Sequence, residues 1–315
     1  MISRVRRALL LSPFALLTLV ALSGCPSSPT APAGGTTGGG APAKPTKLVF
    51  GFVPSVEADK IADSAKPMAD FLSKELGIPV ETFTSTGYTA MVSAMKTGKV
   101  DIGSLPPLAY VIAKDQGAAD VMLKTSRKGS ITYHCMFTVR ADSGIKTLED
   151  AKGKRAVYTD QSSASGYLVP MAYLKKKGIN PEEFFKEMRG VGAHDNAIRA
   201  VYDGDADIAM TYDDARNKLE KDPSYKDVKT KVIKIAQTDE IPNDTISLRT
   251  GLDPELAAKI KAAFLKYKGT PEGKKSLDEV YEVDDLVEAK DSDYDGLREV
   301  AKSMGVELSL FDKKK

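Results

Sequence analysis

Ser162, Ser163, Ser165 and Gly166 stand directly before an apolar run at helical spacing, Leu168, Met171, Ala172 and Leu174. Hydroxyls and the unpaired backbone N–H groups of a helix start would converge there, which is the outline of an anion site. Serine before a helix is more often a plain N-cap, so the stretch gains meaning only from partners elsewhere. Two such partners share a pattern. Residues 94–103 and 200–209 both read as helix end, glycine turn, aspartate and strand, and Tyr88 precedes Asp101 by the same thirteen residues that separate His194 from Asp207. As equivalent units of two lobes, they would bring a tyrosine and a histidine, each at a helix start, to one cleft. Asp244 lies in a polar turn running into a strand, as a cap or as an acceptor for a ligand proton.

Other chemistries fit these residues less well. Ser165, His194 and Asp244 can be cast as nucleophile, base and orienter, but no Gly-x-Ser-x-Gly elbow is present, so no enzyme is expected. His134 and His194 are too few for a three-histidine zinc site, and Cys25 and Cys135 offer no cysteine cluster, so no metal is expected. Residues 269–276 approach a phosphate-loop pattern with glycines one residue too close and no strand before them, so they read as a helix start and no cofactor is expected. Lysine and arginine total 45 against 43 aspartates and glutamates, and loss of Arg4, Arg6 and Arg7 with a leader leaves the acids in slight excess. No basic field is there to recruit nucleic acid.

The elements that must position the candidates follow in order. Arg4, Arg6 and Arg7 precede an apolar run, residues 8–22, broken by Pro13 and too short for a membrane span, so residues 1–24 read as an export signal. Its end, Leu22-Ser23-Gly24-Cys25, resembles the bacterial lipobox, which implies cleavage before Cys25 and a lipid on its thiol. Residues 25–46 then form a leash of Pro, Gly, Ser, Thr and Ala with a root-mean-square span of about 25 Å. From Lys47 onward strands and helices alternate, which predicts an α/β body. Strands are expected at 47–53, 80–83, 100–104, 121–125, 131–139, 155–158, 187–190, 232–235 and into 248, with helices between them and three more at 254–267, 271–280 and 291–304. The last three would pack back on the first lobe, giving lobe 1 as 47–138 plus 240–315 and lobe 2 as 139–239, with crossings near 136–140 and 237–242.

Taken together, the lipobox, Tyr88-Thr89-Ala90-Met91, Lys99-Val100-Asp101-Ile102-Gly103, Ser163-Ala164-Ser165-Gly166-Tyr167-Leu168-Val169-Pro170, Gly192-Ala193-His194-Asp195-Asn196-Ala197 and Ile241-Pro242-Asn243-Asp244 resemble the phosphate, phosphite and phosphonate substrate-binding proteins of ABC importers, over about residues 48–270. The resemblance implies a bilobal type II periplasmic-binding-protein fold with a ligand between closing lobes, acting as a monomer with a permease and ATPase. By match to the family motifs, Tyr88 would contact a ligand oxygen, and Ser163, the Ala164 backbone and Ser165 would surround the phosphorus group. His194 would donate from the opposite wall, and Asp244 would accept from a protonated oxygen or pair with an amine. Ser104, Leu105, Gly166 and Thr245 would flank the site, and Asp214 falls near the position used for an aminoalkyl group.

The chain departs from the pattern at Leu105, where an aromatic residue is frequent, and at Ala164, where threonine is common. One wall would be greasier and one hydroxyl fewer, which weakens the case for an aminoalkyl phosphonate. No lysine or arginine stands in the named motifs, so the anion would be held by neutral donors and helix dipoles, with His194 charging once the anion is bound. Another small anion, or a surface lipoprotein that presents its ligand state to a partner, are the alternative readings.

Overall fold

The computed structural model describes residues 45–308 other than Glu57. The expected signal, Cys25 and all but the end of the leash lie outside the described residues. Eleven strands are present among those described: β1 Leu48–Phe52, β2 Val80–Thr84, β3 Ile102–Leu105, β4 Ala119–Ser126, β5 Thr132–Arg140, β6 Arg155–Tyr158, β7 Glu187–Gly190, β8 Ile208–Tyr212, β9 Val232–Pro242, β10 Thr245–Arg249 and β11 Asp285–Glu288. They form a six-stranded sheet, β11-β4-β10-β3-β1-β2, and a five-stranded sheet, β7-β6-β8-β5-β9.

The two sheets share one plan. In the first, β1 runs parallel to β2 and β3, and β10 joins β3 antiparallel. In the second, β6 runs parallel to β7 and β8, and β5 joins β8 antiparallel. Helices fill the connections between parallel strands, as such crossovers require. The C-terminal helices Pro254–Tyr267 and Pro271–Tyr281 bring Phe264, Tyr267, Leu277 and Val280 onto Phe50, Ile61 and Leu72 of the first sheet's core.

The repeated aspartates have the same job in both sheets. The Asp101 N–H donates to the Val49 carbonyl (3.0 Å) while its Oδ2 accepts the Val49 N–H (3.0 Å), and Oδ1 pairs with Arg249. The Asp207 N–H donates to the Arg155 carbonyl (2.9 Å), its Oδ2 accepts the Arg155 N–H (2.8 Å), and Oδ1 pairs with the Arg155 guanidinium. Each carboxylate thus ties the start of one parallel strand to the entry of its neighbour, satisfying backbone groups that the ladder leaves unpaired.

The chain passes from the first sheet to the second at 127–131 and returns at 243–244. The expected crossings, and the boundary at 138, fall inside β5 and β9 instead. These strands pair with each other from Thr132↔Pro242 to Arg140↔Val232, so the second sheet claims their whole length. The crossing segments are laced together. The Asn243 N–H donates to the Ile131 carbonyl (3.0 Å), its side-chain amide donates to the Thr125 and Ser130 carbonyls (3.1 and 2.9 Å), and the Thr125 N–H donates to the Asp244 carbonyl (2.9 Å).

Candidate functional site

A cavity of about 300 Å³ lies between segments of both sheets, and Tyr88, Ser163, Ser165, His194, Asp214 and Asp244 all line it. Tyr88 is the first residue of the helix Tyr88–Lys96. Gly51 and Gly103, paired in register across β1 and β3, set that helix close to the sheet: a Cβ on either would lie 2.8 or 2.5 Å from the sulfur of Met91 or Met95. The Tyr88 ring is 1% exposed, and its hydroxyl has no hydrogen-bond partner among the described residues. Burial pushes its pKa up, the nearby Ser163 and Thr159 hydroxyls oppose without meeting it in hydrogen-bond geometry, and the Asp160 and Asp244 carboxylates push further, so it stays a neutral donor. An orphaned buried hydroxyl costs roughly 1–3 kcal/mol, which marks this wall as built for something that accepts.

The serine stretch does not run straight into the α-helix that the spacing of Leu168, Met171, Ala172 and Leu174 predicts. Residues Ala164–Leu168 wind as a single π-turn before the α-helix Val169–Lys176. Ser163 organises it: its Oγ accepts the Gly166 N–H (3.0 Å) and its carbonyl accepts those of Tyr167 and Leu168 (3.2 and 3.1 Å). Gly166 is required by close approach, since a Cβ there would lie 1.8 Å from Thr159 Oγ1. Such wide turns recur at functional sites because they push one residue out of helical register.

His194 opens the helix His194–Asp203 and is 4% exposed. Its backbone N–H donates to the Ser55 carbonyl (3.0 Å), joining the second sheet's helix to the loop after β1. Its Nδ1 accepts the Tyr212 N–H (3.4 Å), which assigns the ring proton to Nε2. Burial, seconded by the Arg127 charge, pushes its pKa down to about 3, so without a ligand it faces the cavity neutral.

Arg127 is the residue that the sequence reading missed. It lines the cavity, and its Nη2 pairs with Asp244 Oδ2 at 2.5 Å, the two side chains 22% and 17% exposed. The expectation of a site without lysine or arginine therefore changes: a cation is present, with its own carboxylate. The only sequence signal for it is the turn Arg127-Lys128-Gly129-Ser130 between two strands. Tyr133, Tyr212 and Tyr281 were also missed and line the same cavity.

The remaining candidates do not line it. Ala164 is buried beneath the turn, Ser104 is 4% exposed within β3, and Leu105 packs fully in the core, leaving Pro106 at the wall in its place. Gly166 is spent on Ser163, and Thr245 Oγ1 bonds Ser247 Oγ (2.7 Å). Asp214 reaches the cavity but pairs with Lys128 (3.0 Å). Among the described residues only Lys128, Asp214 and Glu282 are non-glycines with left-handed backbone (φ 52°, 62° and 55°), and all three line the cavity. Backbone strain of this kind concentrates at binding sites.

Two α/β sheets of one topology, joined by two laced crossings around a cavity lined by hydroxyls, an imidazole and the Arg127–Asp244 pair, define a bilobal ligand-binding protein of the type II periplasmic class. The chain belongs to the family described as ABC transporter, phosphonate, periplasmic substrate-binding protein, whose model matches residues 50–294. It is similar to the phosphate-import protein PhnD of Mycolicibacterium smegmatis, 28% identical over 84% of this chain and 87% of that protein. It is likewise similar to the phosphonates-binding periplasmic protein of Escherichia coli, 30% identical over 73% of this chain and 69% of that protein. Among solved structures, PhnD1 of Prochlorococcus marinus in complex with methylphosphonate shares the fold, with a TM-score of 0.75 at 19% identity over 83% of this chain and 99% of that one.

Proposed function

We propose that this substrate-binding protein captures a phosphorus oxyanion, a phosphonate, phosphite or phosphate, between its lobes and delivers it to an ABC permease and ATPase. The carrying observation is the Tyr88 hydroxyl, buried next to Ser163 without a hydrogen-bond partner among the described residues, with the neutral His194 on the second lobe's side of the same cavity. A tetrahedral oxyanion supplies the acceptors this hydroxyl lacks. The cavity of about 300 Å³ leaves room for an organic substituent, which favours a phosphonate among the three.

In this reading the lobes are 47–131 with 243–308, and 132–242, and they close on the ligand about the crossing segments. The protein is a monomer tethered by lipid on Cys25, and it binds without catalysis. His194 Nδ1 accepts from a backbone N–H, and Asp244 is committed to Arg127, which supports the absence of a Ser165-His194-Asp244 relay.

Thermal unfolding of residues 44–315 against phosphate, phosphite, methylphosphonate, aminoethylphosphonate, sulfate and carboxylates tests the ligand class. At a hundredfold excess over its dissociation constant a ligand adds about 2.7 kcal/mol, a shift of several degrees. A shift confined to phosphorus compounds is expected. A shift with carboxylates or sulfate alone overturns the proposal.

A further inference from the structure

Arg127 and Asp244 meet where the crossing segments pass, one directly after β4 and the other directly before β10. Besides Asp244, Arg127 holds the Tyr281 carbonyl through Nε (2.8 Å) and Asn243 Oδ1 through Nη1 (3.3 Å). Asn243 is itself locked by its two amide bonds across the crossing. A guanidinium fixed at this many points cannot swing to follow a ligand. Asp244 Oδ2 is taken by Arg127, and its Oδ1 makes no hydrogen bond among the described residues.

We infer that Arg127 and Asp244 form a charge-balanced pair that sets which ionisation state of the oxyanion the cavity accepts. Asp244 favours a ligand oxygen carrying a proton. Arg127 cancels the repulsion that this carboxylate would otherwise exert on a fully ionised ligand. The inference deepens the proposed function and rests on it. Around the pair stand phenols, the His194 imidazole, two ion pairs and further carboxylates. Burial pushes the Tyr88, Tyr133, Tyr212 and Tyr281 phenols up and His194 down, so none changes charge near neutral pH. Asp195 pairs with Arg199, and Lys128 with Asp214. The carboxylates of Asp160, Asp213, Glu240 and Glu282 are also near. Lys218 donates to the Val280 carbonyl, and burial pushes it down to about 8, inside the working range; His134 also lines the cavity, its Nδ1 3.0 Å from the Thr238 carbonyl.

Removing either partner leaves an uncompensated charge of opposite sign, and the two variants should therefore bend the pH profile in opposite directions. Isothermal titration of the full chain with methylphosphonate, and separately with phosphite, from about pH 5.5 to about pH 9 reads this. Arg127→Met should lose about tenfold in affinity per pH unit above the second ionisation of the probe, because only the monoanion is then tolerated. Asp244→Asn should gain affinity through the same ionisation. The double variant and Arg127→Lys should keep the shallow wild-type profile. Repeating the series in Lys218→Met removes the contribution of that ammonium. Single variants whose profiles stay parallel to wild type would make the pair merely structural and overturn the inference, while leaving the ligand class intact. If one single variant does not fold, the sign of the slope in the other decides. Wild-type protein that binds neither probe at any pH overturns the ligand class and this inference with it.

Discussion

Tyr88 and His194 occupy matching places in the two lobes, each the first residue of a helix that ends at a left-handed glycine, Gly98 or Gly204, and leads to a strand-tying aspartate. What surrounds them differs. Tyr88 presents a hydroxyl with no hydrogen-bond partner among the described residues, whereas His194 is held by the Tyr212 N–H on one nitrogen and by Ser55 through its own backbone. One duplicated framework therefore carries one donor left open to the ligand and one donor braced across the cleft. A frame built twice fixes where donors stand, and the side chain at that position decides whether the unliganded protein bears a cost for it.

The largest effect should come from breaking the turn that carries the cavity serines, Ser163 and Ser165. In Gly166→Ala the new methyl would collide with Thr159 Oγ1 and Ser163 Oγ, at 1.8 and 2.9 Å in the present geometry. Relief requires unwinding the π-turn, so a loss of about 3 kcal/mol in unfolding free energy and no measurable phosphonate binding are expected. Denaturant melts and calorimetry read both. Near-normal binding would mean the serines act independently of the turn.

His194→Ala comes next. It removes a donor to an anion, worth roughly 1.5–3 kcal/mol or about 10–100-fold in affinity, and leaves the Tyr212 N–H without its acceptor. Both affinity and stability should fall. Tyr88→Phe should weaken binding by a similar or smaller factor yet leave the unliganded protein as stable or up to about 1 kcal/mol more stable, because an orphaned buried hydroxyl is removed. The opposite stability signs carry the comparison. Equal destabilisation by both variants would show that Tyr88 is structurally satisfied after all.

Much of this frame was legible in the chain. Alternating apolar runs and glycine-ended helices locate most strands, and the spacing from Tyr88 to Asp101 and from His194 to Asp207 reports one local helix–turn–strand unit, although the strand that each aspartate ties lies 52 residues earlier. Arg127 was not legible. Its role arises from Asp244, 117 residues away, through two crossings whose position depends on how β5 and β9 pair. The passage between sheets was expected too late because nothing in the apolar run 131–139 distinguishes which sheet claims it. The strand β11, with four residues and only Leu286 fully buried, is too short for an alternation to stand out. The π-turn was hidden for another reason: one added residue per turn leaves composition unchanged, and only the contact of Gly166 with Thr159 betrays it.

The smallest effect concerns pH, and it separates the two donors without any ligand. His194 has a folded pKa of about 3, below the 6.5 of an exposed imidazole, so between these values the unfolded chain binds the extra proton and the folded one does not. Its contribution is thus fully present above pH 6.5 and declines as pH falls toward 3. Near pH 5.5 the loss is on the order of 1 kcal/mol for this one group. Tyr88, whose pKa is pushed up, binds its proton in both states over that range and contributes no slope. Urea melts of the unliganded protein at pH 7.5 and 5.5 should therefore differ by about that amount more in wild type and Tyr88→Phe than in His194→Gln. Equal slopes in all three would mean that the imidazole reaches solvent and that the brace from Tyr212 opens in the unliganded protein, making the histidine side of the cleft the mobile one.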